Sequence, residues 1–212
     1  MPVSMMDFYM TPGSCSTGIH ILLEELDLLF SAHIVNLPAG DQHKPEFLAI
    51  NPKGTIPVLV REDGTALSEF QAIAWWLALA HPRAKLLPEG ADAQADALEV
   101  MSHAVGTIHM QGFTRIFTPE RYMQREEDRA VVDAQGKQIV AKGFSVVAKR
   151  LENSTHGYLF EHFTIADAAL LYVEFWADRT NVTLPDACRR HFETMLARPV
   201  VQRVLMEEGY RL

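Results

Sequence analysis

Cys15 is the residue whose type and position most directly suggest chemistry. It follows a predicted strand and the turn Thr11-Pro12-Gly13-Ser14, at or just before the start of a predicted helix. A free cysteine has a pKa near about 8.5, and a helix N-terminus stabilises a nearby anion by roughly 0.3–2 kcal/mol. With one or two hydrogen bonds from Ser14 or Ser16, a thiol pKa below 7 is feasible. The opposing interpretation is a small buried apolar residue, because free cysteines are among the most buried residue types.

The surroundings of Cys15 limit its redox chemistry to one sulfur. The segment Cys15-Ser16-Thr17-Gly18 lacks the second thiol of a dithiol motif, and the only other cysteine, Cys188, lies in a charged helical stretch. The sequence therefore predicts two free thiols, and any redox chemistry at Cys15 would be monothiol chemistry.

Pro57 directly precedes a predicted strand that begins at Val58. A proline at this position can hold a cis peptide bond, which leaves the backbone N–H and C=O of Ile56 free to pair with a peptide ligand. The alternative is a trans proline at a strand entry, which is the commoner form.

No group of histidine, cysteine or carboxylate residues has the spacing of a metal site. His103 and His109 are six positions apart on a predicted helix and therefore point to different faces. The sequence predicts no metal.

The elements that must position these residues change character along the chain. Residues before Ser68 alternate between short strand-like and helix-like pieces, which is typical of an α/β domain. The dipeptide Asp63-Gly64 between two apolar runs predicts an antiparallel hairpin, and hence a mixed sheet. The predicted elements are strands at 5–9, 32–37, 58–60 and 66–67 and a helix at about 16–27.

From Glu69 onward the apolar pattern has a period near 3.6, so the remainder is predicted to be helical. Thr164 and Asp167 have the spacing of an N-terminal capping box. The predicted helices lie at about 92–117, 122–153 and 164–180, with two shorter ones after Pro185 and Pro199. The domain prediction is an α/β domain at 1–81, a linker at 82–91 and an all-helical domain at 92–212.

Charge and hydropathy exclude several classes of partner. The formal charge is −8 and the basic residues form no stripe, which argues against nucleic acid. No apolar run approaches the ~20 residues that span a bilayer, and the first residues fit no secretory or transit signal. The sequence therefore predicts a cytoplasmic protein that does not insert into membranes.

Four separated motifs carry a resemblance to a known family. They are Tyr9 to Ser16 around the cysteine, Asn51-Pro52-Lys53-Gly54-Thr55-Ile56-Pro57, the segment Leu67 to Ile73, and Phe163 to Ala168. Together they resemble the cytosolic glutathione S-transferases over essentially the whole chain. The cysteine after Pro-Gly-Ser is most similar to the bacterial beta class.

The resemblance implies a thioredoxin-like domain that holds glutathione, a helical domain that supplies a pocket for a hydrophobic electrophile, and a homodimer. Cys15 and His109 take the catalytic positions, with Cys15 either stabilising the glutathione thiolate or forming a mixed disulfide. The glutathione-binding positions are Thr55, Ile56, Pro57, Glu69 and Phe70, and Pro57 matches the cis-proline of the family. Candidates for the electrophile pocket are Trp75, Trp76, His103, Phe113, Phe117 and Trp176, each with core packing as the alternative.

The sequence departs from the family pattern at three positions. Phe70 stands where serine or glycine is usual, and the loss of a hydroxyl that donates to a carboxylate costs roughly 1.5–3 kcal/mol. Met110 and Gly40 stand where basic residues often contact the ligand. His43, Lys44 or Lys53 are candidates to compensate for the missing charge.

These observations support three functional hypotheses. The first is a glutathione transferase that activates the glutathione thiol for attack on an electrophilic small molecule or a mixed disulfide. The second is a monothiol glutathione-dependent oxidoreductase that works through a Cys15 mixed disulfide. The third is a non-catalytic binding or scaffold protein on the same fold, which Phe70 and the missing basic residues favour.

Overall fold

The computed structural model describes residues 5–211, which divide into two compact units. The first unit contains residues 5–85 and 197–211, and the second contains residues 86–196. The structure differs from the predicted division at the C-terminal end. Helix α9 (Pro199–Glu207) belongs to the first unit because it packs against α1 (Ser16–Glu25) through buried residues such as Val201 and Val204.

The first unit is built on a four-stranded mixed sheet, as the sequence predicts. Its strands are β1 (Met6–Met10), β2 (Phe30–Ile34), β3 (Val58–Val60) and β4 (Ala66–Ser68), in the order β2-β1-β3-β4. The β1–β2 pair is parallel, and the β1–β3 and β3–β4 pairs are antiparallel. The predicted hairpin is confirmed: Gly64 has a φ of +81°, and Leu59 lies opposite Leu67.

Besides α9, the described residues of the first unit form the helices α1, the short α2 (Pro45–Leu48) and α3 (Phe70–Ala80). Ile19, Leu22 and Leu23 on one face of α1 are inaccessible to solvent, as are the sheet residues Phe8 and Leu59. This shared burial fixes the end of β1 against the start of α1. The turn that carries Cys15 lies between these two elements.

The second unit is entirely helical in secondary structure. It contains α4 (Ala91–His103), a π-helical segment (Ala104–Phe113), α5 (Thr114–Phe117), α6 (Arg129–Leu151), α7 (Ile165–Arg179) and α8 (Asp186–Leu196). The helix predicted for 92–117 thus contains a widened central stretch. Close packing against α6 accompanies it, since a Cβ at Gly112 would lie 2.5 Å from Val140 Cγ2.

Helix α7 is buried along most of its length, from Ile165 to Ala177. Its predicted capping box is confirmed, because the backbone N–H and the hydroxyl of Thr164 both donate to Asp167 Oδ2, at 2.7 and 2.8 Å. The cap matters because the unpaired N–H groups at this helix start lie out of reach of solvent.

Over residues 5–211, none of the helices combines the length and apolar character required to traverse a lipid bilayer.

Candidate active site

Cys15 lies at the N-cap of α1, as the sequence predicts. The residue is 8% exposed, and its Sγ lies 3.8 Å from the carbonyl oxygen of Ile56, close enough for a weak S–H···O hydrogen bond. The structure therefore brings together two residues that the sequence places 41 positions apart. Both belong to the first unit.

Burial raises the pKa of the Cys15 thiol to about 12. The backbone N–H groups of Cys15 and Ser16 oppose this effect, and the negative charge of Glu69 adds to it. The sequence makes a Cys15 pKa below 7 feasible, but the thiol of the unliganded protein does not have such a pKa. Desolvation of a thiolate outweighs the N-terminal dipole at this depth.

Of the two serines beside Cys15, only Ser16 acts on the thiol, through its backbone N–H, and both hydroxyls bond within the turn. Ser14 Oγ and Ser16 Oγ lie 2.6 Å apart, and the Ser16 hydroxyl donates to the carbonyl oxygen of Thr11 at 3.0 Å. The backbone N–H of Thr11 in turn donates to Ser16 Oγ. The hydroxyls therefore stabilise the turn, and the carbonyl oxygen of Ile56 is the group that accepts from the Cys15 sulfur.

Glu208, after the end of α9, anchors the same turn from the other end of the chain. Its buried carboxylate accepts hydrogen bonds from the Gly13 N–H and the Thr17 hydroxyl, both at 2.7 Å, and lies 2.9 Å from His20 Nδ1. The sequence analysis missed Glu208. The spacing of nearby residues could not predict its role, because its partners are 188 to 195 positions away in the chain.

The segment Thr55-Ile56-Pro57 has the conformation that the resemblance implies. The Ile56–Pro57 peptide bond is cis. Asn51, which is 3% exposed, donates from Nδ2 to the Thr55 carbonyl oxygen at 2.8 Å and fixes the preceding turn. Ile56 itself is only partly buried, and its carbonyl oxygen lies beside Cys15.

Glu69 and Phe70 mark the start of α3. Glu69 is the N-cap residue with a φ of +77°, a left-handed conformation that is uncommon for a residue with a side chain. Its carboxylate forms an ion pair with Lys53 at 2.8 Å, and Lys53 also donates to Ser68 Oγ at 3.0 Å. Phe70 is only 3% exposed, so its ring packs in the interior of the unit.

Of the three candidates to compensate for missing basic residues, only one is placed beside Glu69. Lys53 pairs with Glu69, whereas Lys44 pairs with Asp41 at 2.7 Å, and His43 lies in a short 3-10 helix. The Lys53 ammonium is half-exposed, so it is accessible to a ligand.

His109 lies in the second unit, within the π-helical segment, at the edge of a cluster of aromatic rings. Its ring centroid is 4.7 Å from that of Trp176, and its Nδ1 lies 3.2 Å from the Tyr172 hydroxyl oxygen. Burial among these rings lowers the pKa of His109 to about 4. The imidazole is therefore neutral at physiological pH and has one N–H to donate.

The structure separates the predicted pocket residues into three groups. Phe113, Phe117 and Trp176 join the His109 cluster, with centroid separations of 5.2 to 5.5 Å. The sequence analysis missed Tyr172, which packs with them, because the pattern around Tyr172 is that of an ordinary core residue of α7. The remaining candidates are elsewhere: Trp75 and Trp76 lie on α3 in the first unit, and His103 Nε2 lies 3.1 Å from the Gly143 carbonyl oxygen.

Among the described residues, one group of three side chains could supply ligands to a metal: His20, Glu24 and Glu207. The group contains none of the residues predicted to bind glutathione. The sequence analysis missed it because Glu207 is distant in the chain.

Comparison with known proteins identifies the family. The family model of the glutathione S-transferase N-terminal domain matches residues 13–80. The glutathione S-transferase GstA of Escherichia coli O157:H7 is 32% identical over 210 residues, covering 97% of this chain and 100% of that protein. The chain belongs to the glutathione S-transferase family. Another relative is the disulfide-bond oxidoreductase YfcG of Escherichia coli K12, 29% identical over 96% of this chain and 95% of that protein.

Solved glutathione S-transferase structures confirm the fold. A glutathione transferase homologue from Sulfitobacter with bound glutathione has a TM-score of 0.87 at 28% identity, covering 97% of this chain and 99% of that chain. A bacterial beta-class glutathione S-transferase from Sphingomonas chungbukensis has a TM-score of 0.81 at 26% identity, covering 96% of this chain and 98% of that chain. The predicted thioredoxin-like sheet domain, helical region and resemblance to bacterial glutathione S-transferases are thereby confirmed.

Proposed function

We propose that this chain is a glutathione transferase in which the neutral Cys15 thiol donates a hydrogen bond to the thiolate of bound glutathione. The observation that carries the proposal is the position of the Cys15 sulfur. It is buried at the N-cap of α1, 3.8 Å from the Ile56 carbonyl oxygen and near the charge of Glu69. A thiol that stays protonated is a hydrogen-bond donor, and such a donor favours the charged form of a neighbouring sulfur.

Glutathione offers three recognition groups, and the first unit offers a partner for each. The γ-glutamyl ammonium suits the Glu69 carboxylate, and the γ-glutamyl carboxylate suits the Lys53 ammonium beside it. The cysteinyl residue suits backbone pairing at Ile56, between Thr55 and Pro57. Phe70 provides no side-chain donor because its side chain is a hydrocarbon, so Lys53 supplies the charge that the departures from the family pattern remove.

The chemical step is a nucleophilic displacement or addition. The glutathione thiol loses its proton to water, and the thiolate sulfur forms a bond to an electrophilic carbon. In a displacement a leaving group departs with the bonding electron pair; in an addition the π electron pair moves onto the acceptor, which then takes a proton from water. Cys15 lowers the free energy of the thiolate by donating its S–H, so that more of the bound glutathione is reactive at neutral pH. We also propose a catalytic role for His109, as the resemblance implies, with a neutral imidazole that can donate one N–H without adding a full charge.

The electrophile is proposed to bind at the aromatic cluster of the second unit. His109 lies there beside Phe113, Phe117 and Trp176, and the Phe117 ring is 47% exposed. Aromatic faces of this kind favour a flat hydrophobic ligand. We further propose that the protein is cytoplasmic and forms a homodimer, both by analogy with the family.

The oxidoreductase alternative also has a specific observation in its favour. One relative is named a disulfide-bond oxidoreductase, and Cys15 has the position for a mixed disulfide. Attack on a disulfide requires a thiolate, however, and a pKa of about 12 leaves very little thiolate at neutral pH. This pKa favours the transferase.

The test is calorimetric titration of reduced glutathione into the protein, followed by kinetics with an activated aryl halide and with a glutathione mixed disulfide. Cys15→Ala is the informative variant. Cys188→Ser is the matched control, since Cys188 is also buried but lies in α8. We expect micromolar to low-millimolar binding, activity with the aryl halide, and a loss in Cys15→Ala that Cys188→Ser lacks. Absence of binding up to about 10 mM, weaker than about 3 kcal/mol, would instead support the scaffold hypothesis.

A further inference from the structure

His20 lies on the buried face of α1, and one of its ring nitrogens has no hydrogen bond to any residue in the range 5–211. The residue is 5% exposed and its ring packs beside those of Phe8 and Phe30. Nδ1 lies 2.9 Å from the Glu208 carboxylate, but in the part of the chain that the structure describes Nε2 has no hydrogen-bond partner. A ring nitrogen without a hydrogen-bond partner in the protein is available to bind a ligand.

Two carboxylates surround this nitrogen. Glu24 lies one helical turn after His20 on α1, a spacing that places both side chains on the same face. Glu207, at the end of α9, brings its Oε2 to 3.6 Å from His20 Nε2, beyond hydrogen-bond distance. One ligand atom from each of the three residues lies within 4.8 Å of the other two. Atoms bound to one tetrahedral zinc ion are separated by similar distances, roughly 3–4 Å, given bond lengths near 2.0–2.2 Å.

We propose that His20, Glu24 and Glu207 bind a single Zn²⁺ ion. One imidazole nitrogen and two carboxylate oxygens leave the fourth tetrahedral position to water. The two negative charges balance the charge of the ion. The site does not depend on the proposed transferase chemistry, which uses no metal.

The surroundings of His20 match those of a zinc-bound histidine. Such histidines donate their second ring N–H to a carboxylate, which fixes the ring and leaves the other nitrogen free to bind the metal. Glu208 fills this role for His20 and is itself held by the Gly13 N–H and the Thr17 hydroxyl. The orientation of Nε2 is therefore set before any ion arrives.

Glu24 and Glu207 remain available to an ion. Arg203 donates to Glu24 Oε2 at 2.7 Å, but a carboxylate has a second oxygen, so Glu24 can keep this partner and still bind zinc. The side chain of Glu207 is 49% exposed and can close over an ion that enters from solvent. The bound ion would link α1 to the end of α9 next to the turn that carries Cys15.

The test is calorimetric titration of Zn²⁺ alone into metal-free protein, with all proteins carrying Cys15→Ser so that no active-site thiol competes. We compare the parent with Glu24→Gln and Glu207→Gln. Glu25→Gln is the matched control, because Glu25 also lies on α1 and also pairs with an arginine, Arg198, but is not part of the set.

We expect one ion per chain at micromolar affinity, at least tenfold weaker binding in Glu24→Gln and Glu207→Gln, and unchanged binding in Glu25→Gln. Zinc should also raise the melting temperature of the parent and the Glu25→Gln variant but not that of Glu207→Gln. These two variants change partly exposed side chains, so the test does not rely on replacing the buried His20. The proposal is overturned if zinc fails to bind, or if Glu207→Gln binds it as tightly as the parent.

Discussion

The thiol of Cys15 faces the carbonyl oxygen of Ile56 at 3.8 Å, at the point where the helix N-terminus would favour a thiolate. Burial nevertheless raises the pKa of this thiol to about 12. This relationship supports the donor role that we propose for Cys15, because an S–H that faces a backbone oxygen can be redirected to a glutathione sulfur without ionising.

Alkylation measures this protonation state directly. Iodoacetamide reacts with the thiolate, so we expect the alkylation rate of Cys15 in the unliganded protein to rise about tenfold per pH unit from pH 7 to 10, without a plateau. Mass spectrometry of the Cys188→Ser variant assigns the reaction to Cys15. A plateau near neutral pH would mean that the thiol is ionised, and would favour the oxidoreductase.

Glu208 gives a prediction about the turn that carries Cys15. Replacing Glu208 by alanine removes three contacts of a buried carboxylate, so we expect a loss of about 2–4 kcal/mol in the free energy of unfolding. Glu207→Gln, one residue earlier and half-exposed, should change it by less than about 0.5 kcal/mol in metal-free buffer. Urea unfolding measures both variants. Equal effects would show that the hydrogen bonds of Glu208 contribute little.

His191 and Glu174 predict how the stability of the second unit depends on pH. Their side chains are fully buried, with His191 Nδ1 2.7 Å from Glu174 Oε2 and Nε2 3.2 Å from Asp167 Oδ1. Burial alone would lower the pKa of His191, but the two carboxylates outweigh it and raise this pKa to about 10. The charged imidazole therefore stabilises the folded state.

Because the folded pKa exceeds the unfolded value of about 6.5, this contribution is complete below pH 6.5 and is lost as the pH rises toward 10. His191→Gln should cost about 3–5 kcal/mol at pH 6.5, since it leaves buried carboxylates without their cation. Urea unfolding at pH 6.5 and 9.5 should show a smaller difference between wild type and variant at the higher pH. A difference that is independent of pH would contradict the charged pair.

His109 predicts the pH profile of catalysis. Its pKa of about 4 means that the imidazole gains no proton between pH 5 and 8, so His109 should produce no inflection in kcat over this range. The inflection that remains belongs to the glutathione thiol and should persist in His109→Asn at a lower kcat. Disappearance of an inflection near pH 6 to 7 in this variant would contradict the neutral imidazole.

The sequence predicts the local features of this protein well. Apolar periodicity locates the strands and most helices, Asp63-Gly64 locates the hairpin, and the Thr164 to Asp167 spacing identifies the cap of α7. Each of these features depends on residues within a few positions of one another. The position of Cys15 at the start of α1 could be predicted for the same reason, because it depends on the neighbouring turn and helix.

Features that depend on distant residues could not be predicted in this way. Glu208 reaches Gly13 across 195 positions, and α9 joins the first unit because its apolar face matches α1, not because of any signal in its own sequence. The pKa of Cys15 depends on burial by the whole unit. The π-helical segment likewise packs closely against α6, a distant part of the chain, whereas the local apolar pattern predicts an uninterrupted α-helix.

The most direct test of the account is the pKa of the glutathione thiol when it is bound. Ultraviolet absorbance of the thiolate, followed against pH in the complex, reports this pKa for the wild type and for Cys15→Ala. We predict a value well below that of free glutathione in the wild type and an increase of at least one unit in Cys15→Ala, since the variant loses the S–H donor. An unchanged pKa in Cys15→Ala would contradict the donor role assigned to Cys15.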